Sequence, residues 1–365
     1  MKISLKKTKI AIRVDGNQFI GLGHIFRCFY LAKYIKEYGG IPYFFILKSS
    51  INPLVVDLIS KENFDYYIVS HHDNPWKENI HLFKTIIQKE SFHSVLIDLL
   101  IPDASDNDLF VQDVYIPSDI TNLIKELSSL KIPIFAFSDQ FDQINFRCDL
   151  IINTCPTQKY EWYNCSEKYL LGPKYYIVGQ PFHKLISNPK KFRTKDKRIV
   201  IFCGGNDHRG FTNIIIDTMQ NLIADFEVEI IVGASTPLCH NLIENIQNKK
   251  IKIHCKPINI AQILFDADAV ISTSGNTLFD LAAIGIPAAA LSTRERQRIT
   301  ANFFHEKGSC IDVGSNIEEI KSGLINFFNM MLHNDEKLQQ MRQRGKQLID
   351  GNGAIRIIKE MSNRL

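Results

Sequence analysis

No stretch of the 365 residues approaches the roughly 20 apolar positions needed to cross a bilayer. The basic residues Lys2, Lys6, Lys7 and Lys9 lead directly into a short apolar run, with none of the longer apolar core of a secretory leader. A membrane span is therefore not expected, and the expected location is cytoplasmic. No Cys-x-x-Cys pair occurs among the eight cysteines, which removes the commonest spacing of structural metal sites and dithiol redox centres. They are expected to be reduced core residues, with no metal and no cofactor. Asn164-Cys165-Ser166 matches a glycosylation sequon, read here as chance. Neither charge sign dominates: 43 basic residues face 39 acidic ones, a net charge of +4. No nucleic-acid partner is expected, since such proteins cluster their basic residues on one face. The mild surplus suits a small anionic ligand.

The chain does carry 45% hydrophobic and 22% charged residues, and it is long enough for two cores. Apolar runs alternate with segments of helical period throughout. Strands are expected at residues 10–14, 42–47, 66–69, 95–98, 132–137 and 148–152, with helices between them. After a Gly/Pro-punctuated, basic boundary the pattern restarts, with strands at 198–203, 228–232, 251–254, 269–272 and 288–291. This alternation predicts an α/β fold of two Rossmann-like domains with parallel sheets. The expected boundaries are 1–175 for the first domain, 176–197 for a linker, 198–334 for the second domain and 335–365 for terminal helices. A long acidic excursion at 99–117 reads as a lid, an interface loop or a surface detour.

In such sheets ligands bind beyond the carboxyl ends of the strands. Three glycine turns fall there. The first, Gly21-Leu22-Gly23-His24, joins strand 10–14 to a helix. Glycine permits backbone angles that a Cβ forbids, and a histidine at a helix mouth can carry a proton near neutral pH. Asp98 and Asp139 end neighbouring strands. Asp15, beside the turn, either orients His24 or a sugar hydroxyl, or caps the turn. The second and third turns are Gly204-Gly205-Asn206 and Ser274-Gly275-Asn276-Thr277. Both offer N–H groups and hydroxyls to a diphosphate, or simply cap their helices. Asp280, one turn later, is placed to take ribose hydroxyls.

Taken together the turns resemble the GT-B nucleotide-sugar proteins. Within them the match is to the PseG (SpsG-like) family, UDP-2,4-diacetamido-2,4,6-trideoxy-β-L-altropyranose hydrolases related to MurG. The resemblance spans residues 10–314 and rests on Arg13-x-Asp15, Ile20-Gly21-x-Gly23-His24, Arg27-Cys28, Phe202-Cys203-Gly204-Gly205, Ser274-Gly275-Asn276-Thr277 and Gly285-Ile286-Pro287. It implies the two sheets facing a central cleft. It also implies UDP on the second-domain loops, sugar on the first domain, and His24 as the residue that activates water. Gly21, Gly23, Arg27, Asp98, Arg296 and Gln297 join the expected substrate contacts. Two departures stand out. Asp98 precedes Leu99-Leu100 where the family carries His-Tyr, and Glu295-Arg296-Gln297-Arg298 replaces Asp-Asn-Gln-Arg. Asp280 stands where the family has Glu.

The resemblance implies hydrolysis of a UDP-sugar with inversion, without metal, in nonulosonic (pseudaminic) acid or surface-glycan synthesis. A MurG-like inverting glycosyltransferase, with peripheral membrane contact, is the alternative. A non-catalytic UDP-sugar binder is the third reading. Arg296 or Arg298 would add positive charge at the diphosphate.

Overall fold

The computed structural model describes residues 3–16, 22–99, 117–138, 147–156, 168–204, 207, 209–219, 225–233 and 251–365. Gly21, Gly205, Asn206, Asp139, residues 100–116 of the acidic excursion and residues 234–250, between two of the expected strands, lie outside these residues. The chain forms two units, residues 1–177 with 352–365, and residues 178–351.

The first unit is built on strands β1 (Lys9–Val14), β2 (Ile41–Ile46) and β3 (Asp65–Ile68), a hairpin β4 (Ser70–His71) and β5 (Asn74–Glu78), then β6 (Ser94–Asp98), β7 (Ile134–Phe137), β8 (Leu150–Asn153) and β9 (Tyr169–Leu171). Its helices are α1 (Gly23–Glu37), α2 (Pro53–Lys61), α3 (Ile80–Lys89) and α4 (Pro117–Ser128). The sheet runs β3-β2-β1-β6-β7-β8-β9, and every pair in it is parallel. Its central strands are near-continuous apolar runs because helices cover both faces. Ile10, Ile12 and Val14 pack under Ile25, Phe29 and Ala32 of α1. Ala11, Val95 and Ile97 face Phe83, Ile87 and Ile124 of α3 and α4 on the other side. Helix starts follow local chemistry: Asn52 accepts from Val55 N ahead of Pro53, and Asn79 accepts from Leu82 N.

The second unit contains α5 (Gln180–His183), β10 (Lys197–Phe202), α6 (Phe211–Met219), β11 (Phe226–Val232), β12 (Ile251–Cys255), α7 (Ile260–Asp266), β13 (Ala269–Thr273), α8 (Asn276–Ile284), β14 (Ala288–Leu291), α9 (Glu295–Glu306), β15 (Cys310–Asp312), α10 (Ile317–His333) and α11 (Asp335–Leu348). Its order, β12-β11-β10-β13-β14-β15, is again all parallel. Ile199, Ile201, Ile271 and Leu291 pack against α6 and α10.

The final helix, α12 (Gly353–Ser362), returns to the first unit, where Ile357, Ile358 and Met361 join its core. The terminal helices expected as one block at 335–365 are thus divided between the units. The expected linker 176–197 is largely part of the second, tied down by Lys346 Nζ donating to Ile186 O at 2.5 Å. The hairpin β4–β5 and the short strands β9 and β15 had no signal of their own. Two to five residues are too few to show a period. Cys28, Cys148, Cys155, Cys203 and Cys310 are buried thiols outside any disulfide, as expected. Cys255 is instead disulfide-bonded. Among the described residues no helix is long and apolar enough to cross a membrane.

Candidate functional site

In both sheets the strand order reverses once, between β1 and β6 in the first and between β10 and β13 in the second. These switch points leave crevices at the carboxyl ends of the strands. Among the described residues, Gly204 follows β10 and Ser274-Gly275 follows β13 at the second of these points, and His24 opens α1 near the first.

In the first unit, β1 is followed by the turn and α1, and β6 ends on Asp98. The Asp98 side chain is only 1% exposed and points to the α1 side. His24 Nδ1 lies 2.7 Å from Asp98 Oδ1. An ionised carboxylate only accepts, so Nδ1 carries the proton and donates, and the lone pair of neutral His24 is on Nε2. Arg27 Nε donates to Oδ2 at 2.8 Å and Nη2 to Oδ1 at 2.6 Å. The Cys28 thiol donates to Oδ2 at 3.2 Å. Burial pushes the Asp98 carboxyl up. The charges and hydrogen bonds of Arg27 and His24 outweigh it and hold the group well below the usual carboxylate range. Helix α1 starts with no side-chain cap and no acid in its first turn.

A carboxyl lowered on folding contributes stability that is whole above the ordinary aspartate range near 3.9 and is lost as pH falls through its lower folded value. Chemical denaturation at pH 6 and at about pH 3 measures that slope. The wild-type chain is expected to lose more stability over the interval than Asp98→Asn, and equal losses would show that Asp98 is not held as described.

Asp15 does not orient His24. Its Oδ2 pairs with Arg13 Nη2 at 2.7 Å, and its Oδ1 accepts from Leu47 N at 2.8 Å and Ser50 Oγ at 3.0 Å. It anchors the β1 turn to the loop after β2, and the histidine's partner is Asp98.

In the second unit, Gly204 leaves β10 at φ +86°, a left-handed angle that disfavours any side chain. The Ser272 hydroxyl donates to Phe202 O at 2.7 Å, tying β13 to β10 across the switch point. The two helix starts beside it differ. At α6, Asp207 accepts from Phe211 N at 2.9 Å and Thr212 N at 2.8 Å, so a carboxylate already occupies that terminus. At α8 there is no side-chain cap and no acid in the first turn. Gly275 is open, with nothing within 4 Å of where its Cβ would stand. Asn276 is exposed, and Thr277 and Asp280 are half-buried. An anion is therefore favoured at α8, not α6.

The hydroxyl expected at Ser274 is turned inward. It is 2% exposed and donates to Leu291 O at 2.8 Å. Gln297 Oε1 is taken by Thr293 N and Oγ1, both at 2.8 Å. Arg298 pairs with Glu295 on the surface, at 2.8 Å through both Nε and Nη2. Arg296 is half-buried in the first turn of α9. Sequence reasoning missed Cys28 as a donor to Asp98 and the buried Arg13–Glu78 pair at 2.7 Å. A charge inside the apolar run of β1 was the available signal for the pair.

No protein-family model matches the chain. It is 27% identical over 305 residues to an uncharacterized protein of Methanocaldococcus jannaschii, covering 80% of this chain and 57% of that one. The chain thus spans little more than half the length of that relative. It is 21% identical over 358 residues to the spore coat polysaccharide biosynthesis protein SpsG of Bacillus subtilis, covering 95% of this chain and 96% of SpsG. Among solved structures it resembles Acinetobacter baumannii MurG, with TM-score 0.67, 12% identity and coverage of 98% and 100%. It also resembles Staphylococcus aureus MnaA in complex with UDP, with TM-score 0.63, 13% identity and coverage of 96% and 95%. These likenesses show the fold. The chain is built from the two parallel-sheet α/β units of the GT-B class.

Proposed function

We propose that this protein is a cytoplasmic enzyme that binds a UDP-sugar and displaces UDP from the anomeric carbon, with water as the attacking group. The observation that carries this reading is the Asp98–His24 pair. Nδ1 is committed to a buried carboxylate at 2.7 Å, and Nε2 makes no hydrogen bond among the described residues. A pure binding protein has no use for a base fixed in this way. His24 Nε2 takes the proton of the attacking hydroxyl as its oxygen bonds to the anomeric carbon, and Asp98 stabilises the imidazolium that forms. The bond from that carbon to the β-phosphate oxygen breaks, and the departing negative charge is met by the uncapped start of α8. A single displacement inverts the centre. In this reading Asp280 takes the ribose hydroxyls and Gln297 contributes to substrate binding. The named relative SpsG supports a place in surface-polysaccharide synthesis.

Transfer to a sugar hydroxyl instead of water is the second reading. It is favoured by Leu99, which is 6% exposed and packs in the apolar core beside Asp98. The polar side chains the hydrolase family carries after that aspartate have no counterpart here. A proton and phosphorus NMR time course with UDP-2,4-diacetamido-trideoxyaltrose and no acceptor separates the two. Free sugar of inverted configuration alongside UDP supports hydrolysis. An intact substrate with tight UDP binding supports transfer. Absence of UDP binding defeats both.

The α8 assignment has its own test. Gly275 has extended backbone (φ −93°, ψ −154°) and open space at its Cβ position, so Gly275→Ala should leave stability within about 0.5 kcal/mol of wild type. The new methyl would stand where the diphosphate approaches. Titration calorimetry is expected to show UDP affinity weakened at least about tenfold, or about 1.4 kcal/mol. Unchanged affinity would place the diphosphate elsewhere.

A further inference from the structure

Arg27 is expected from the sequence to touch substrate. Its surroundings point elsewhere. The guanidinium lies face-on to the Phe137 ring, 4.3 Å from its centroid, at the end of β7. Its Nε and Nη2 both bond the Asp98 carboxylate, one to each oxygen, in the planar fork that arginine alone offers. Nη2 also lies 3.1 Å from His24 Nδ1, so the three groups form one compact cluster. The Arg27 side chain is 13% exposed and His24 12%, whereas Asp98 is closed off.

We propose that Arg27 is a positioning residue. Clamped between Phe137 and Asp98, it fixes the plane of the carboxylate so that Oδ1 faces His24 Nδ1, and this holds the histidine in the tautomer that presents Nε2 as the base. The physical case has three steps. A carboxylate buried to 1% needs a permanent counter-charge, and His24 supplies one only when protonated. A neutral His24 with Asp98 alone would leave an uncompensated buried anion, free to turn toward any other donor. The fork removes both problems, because the guanidinium charge is permanent and its two N–H groups allow the carboxylate one orientation. The Phe137 face in turn fixes the guanidinium, which a lysine ammonium would not match. Cys28, donating to Oδ2, completes the set on the oxygen that His24 does not use.

The kinetic part of this inference rests on His24 acting as a base, but its decisive readout does not. In protein with 15N-labelled histidine, two-bond proton–nitrogen spectra recorded well above the ordinary histidine range near 6.5 report which ring nitrogen carries the proton. The His24 ring is assigned by its disappearance in His24→Gln. Wild type is expected to show the Nδ1–H form alone. Arg27→Met and, to a smaller degree, Phe137→Leu are expected to show a mixture with the Nε2–H form. With the UDP-sugar as substrate, Arg27→Met should lower kcat by about ten- to a hundredfold while KM stays within about twofold. A residue that binds substrate behaves the other way. KM rises, kcat holds, and the ring spectrum of the unliganded protein is unchanged. That result overturns the proposal. Should Arg27→Met fail to fold, Phe137→Leu leaves all three polar groups in place, and an unchanged His24 ring in that variant also overturns it. Tautomer mixing with no turnover in wild type would retain the positioning role and defeat the proposed reaction alone.

Discussion

His24→Gln is expected to lower turnover of the UDP-sugar by about 10²–10⁴-fold while the dissociation constant of UDP stays within about twofold. The expectation follows from where the ring sits. His24 is the second residue of α1, its Nδ1 is held by Asp98, and its Nε2 bonds nothing among the described residues. Glutamine keeps a polar side chain of similar reach and can donate to Asp98, so the buried carboxylate retains a partner. What it cannot do is accept a proton. UDP is assigned to α8 of the other unit, so its affinity should be indifferent to the change. The two quantities are read by a coupled UDP-release assay and by calorimetry. A fall in UDP affinity together with turnover would mean that His24 contacts the diphosphate. Unchanged turnover would remove it from the chemistry. Asp98→Asn offers a second check, since asparagine fills the same space but can present its amide N–H to the ring.

Much of this arrangement was legible in the sequence, because its parts are local. A glycine turn between an apolar strand and an amphipathic helix gives the strand–turn–helix geometry from three or four neighbouring residues. The alternation of periods then orders the sheets, and the reversal of strand order follows from the right-handed crossover. The role of Asp98 was not legible. It lies 74 positions from His24, and only the parallel pairing of Val14 with Asp98 brings the two strand ends level. Asp15, two residues beyond Arg13, is nearer to His24 in sequence and is used elsewhere. Ser274 shows the same limit at short range. A serine before a glycine at a helix start suits a phosphate, yet β14 runs alongside β13 and its Leu291 carbonyl takes the hydroxyl. The hairpin β4–β5 left no periodic trace at all, and its anchor, Glu78, is recognisable only once Arg13 is seen to be buried.

Arg13 carries the largest stability prediction. It is fully buried near the carboxyl end of β1, and its guanidinium reaches β5, β2 and the turn after β1. Nε pairs with Glu78 Oε1 of β5 at 2.7 Å, Nη2 with Asp15 Oδ2 at 2.7 Å, and Nη1 donates to Phe45 O of β2 at 3.3 Å. Placing three charges out of water is costly, and the cluster repays that cost only while it is complete. Arg13→Met keeps the apolar stem but leaves two carboxylates buried to 4% and 5% without their cation. The loss is expected to be about 3–5 kcal/mol, a large part of the 5–15 kcal/mol that typically separates folded from unfolded chains. It should appear in the transition of the first unit, resolved by urea titration followed through amide exchange, while UDP binding by the second unit persists. The cause can be separated from lost packing. If stranded charge is responsible, adding Glu78→Gln to Arg13→Met should restore part of the stability, although Glu78→Gln alone destabilises the otherwise intact protein. If packing is responsible, the two losses should add. A loss below about 1 kcal/mol for Arg13→Met, the range of an exposed ion pair, would mean that the network is solvated and that the hairpin is held by other contacts.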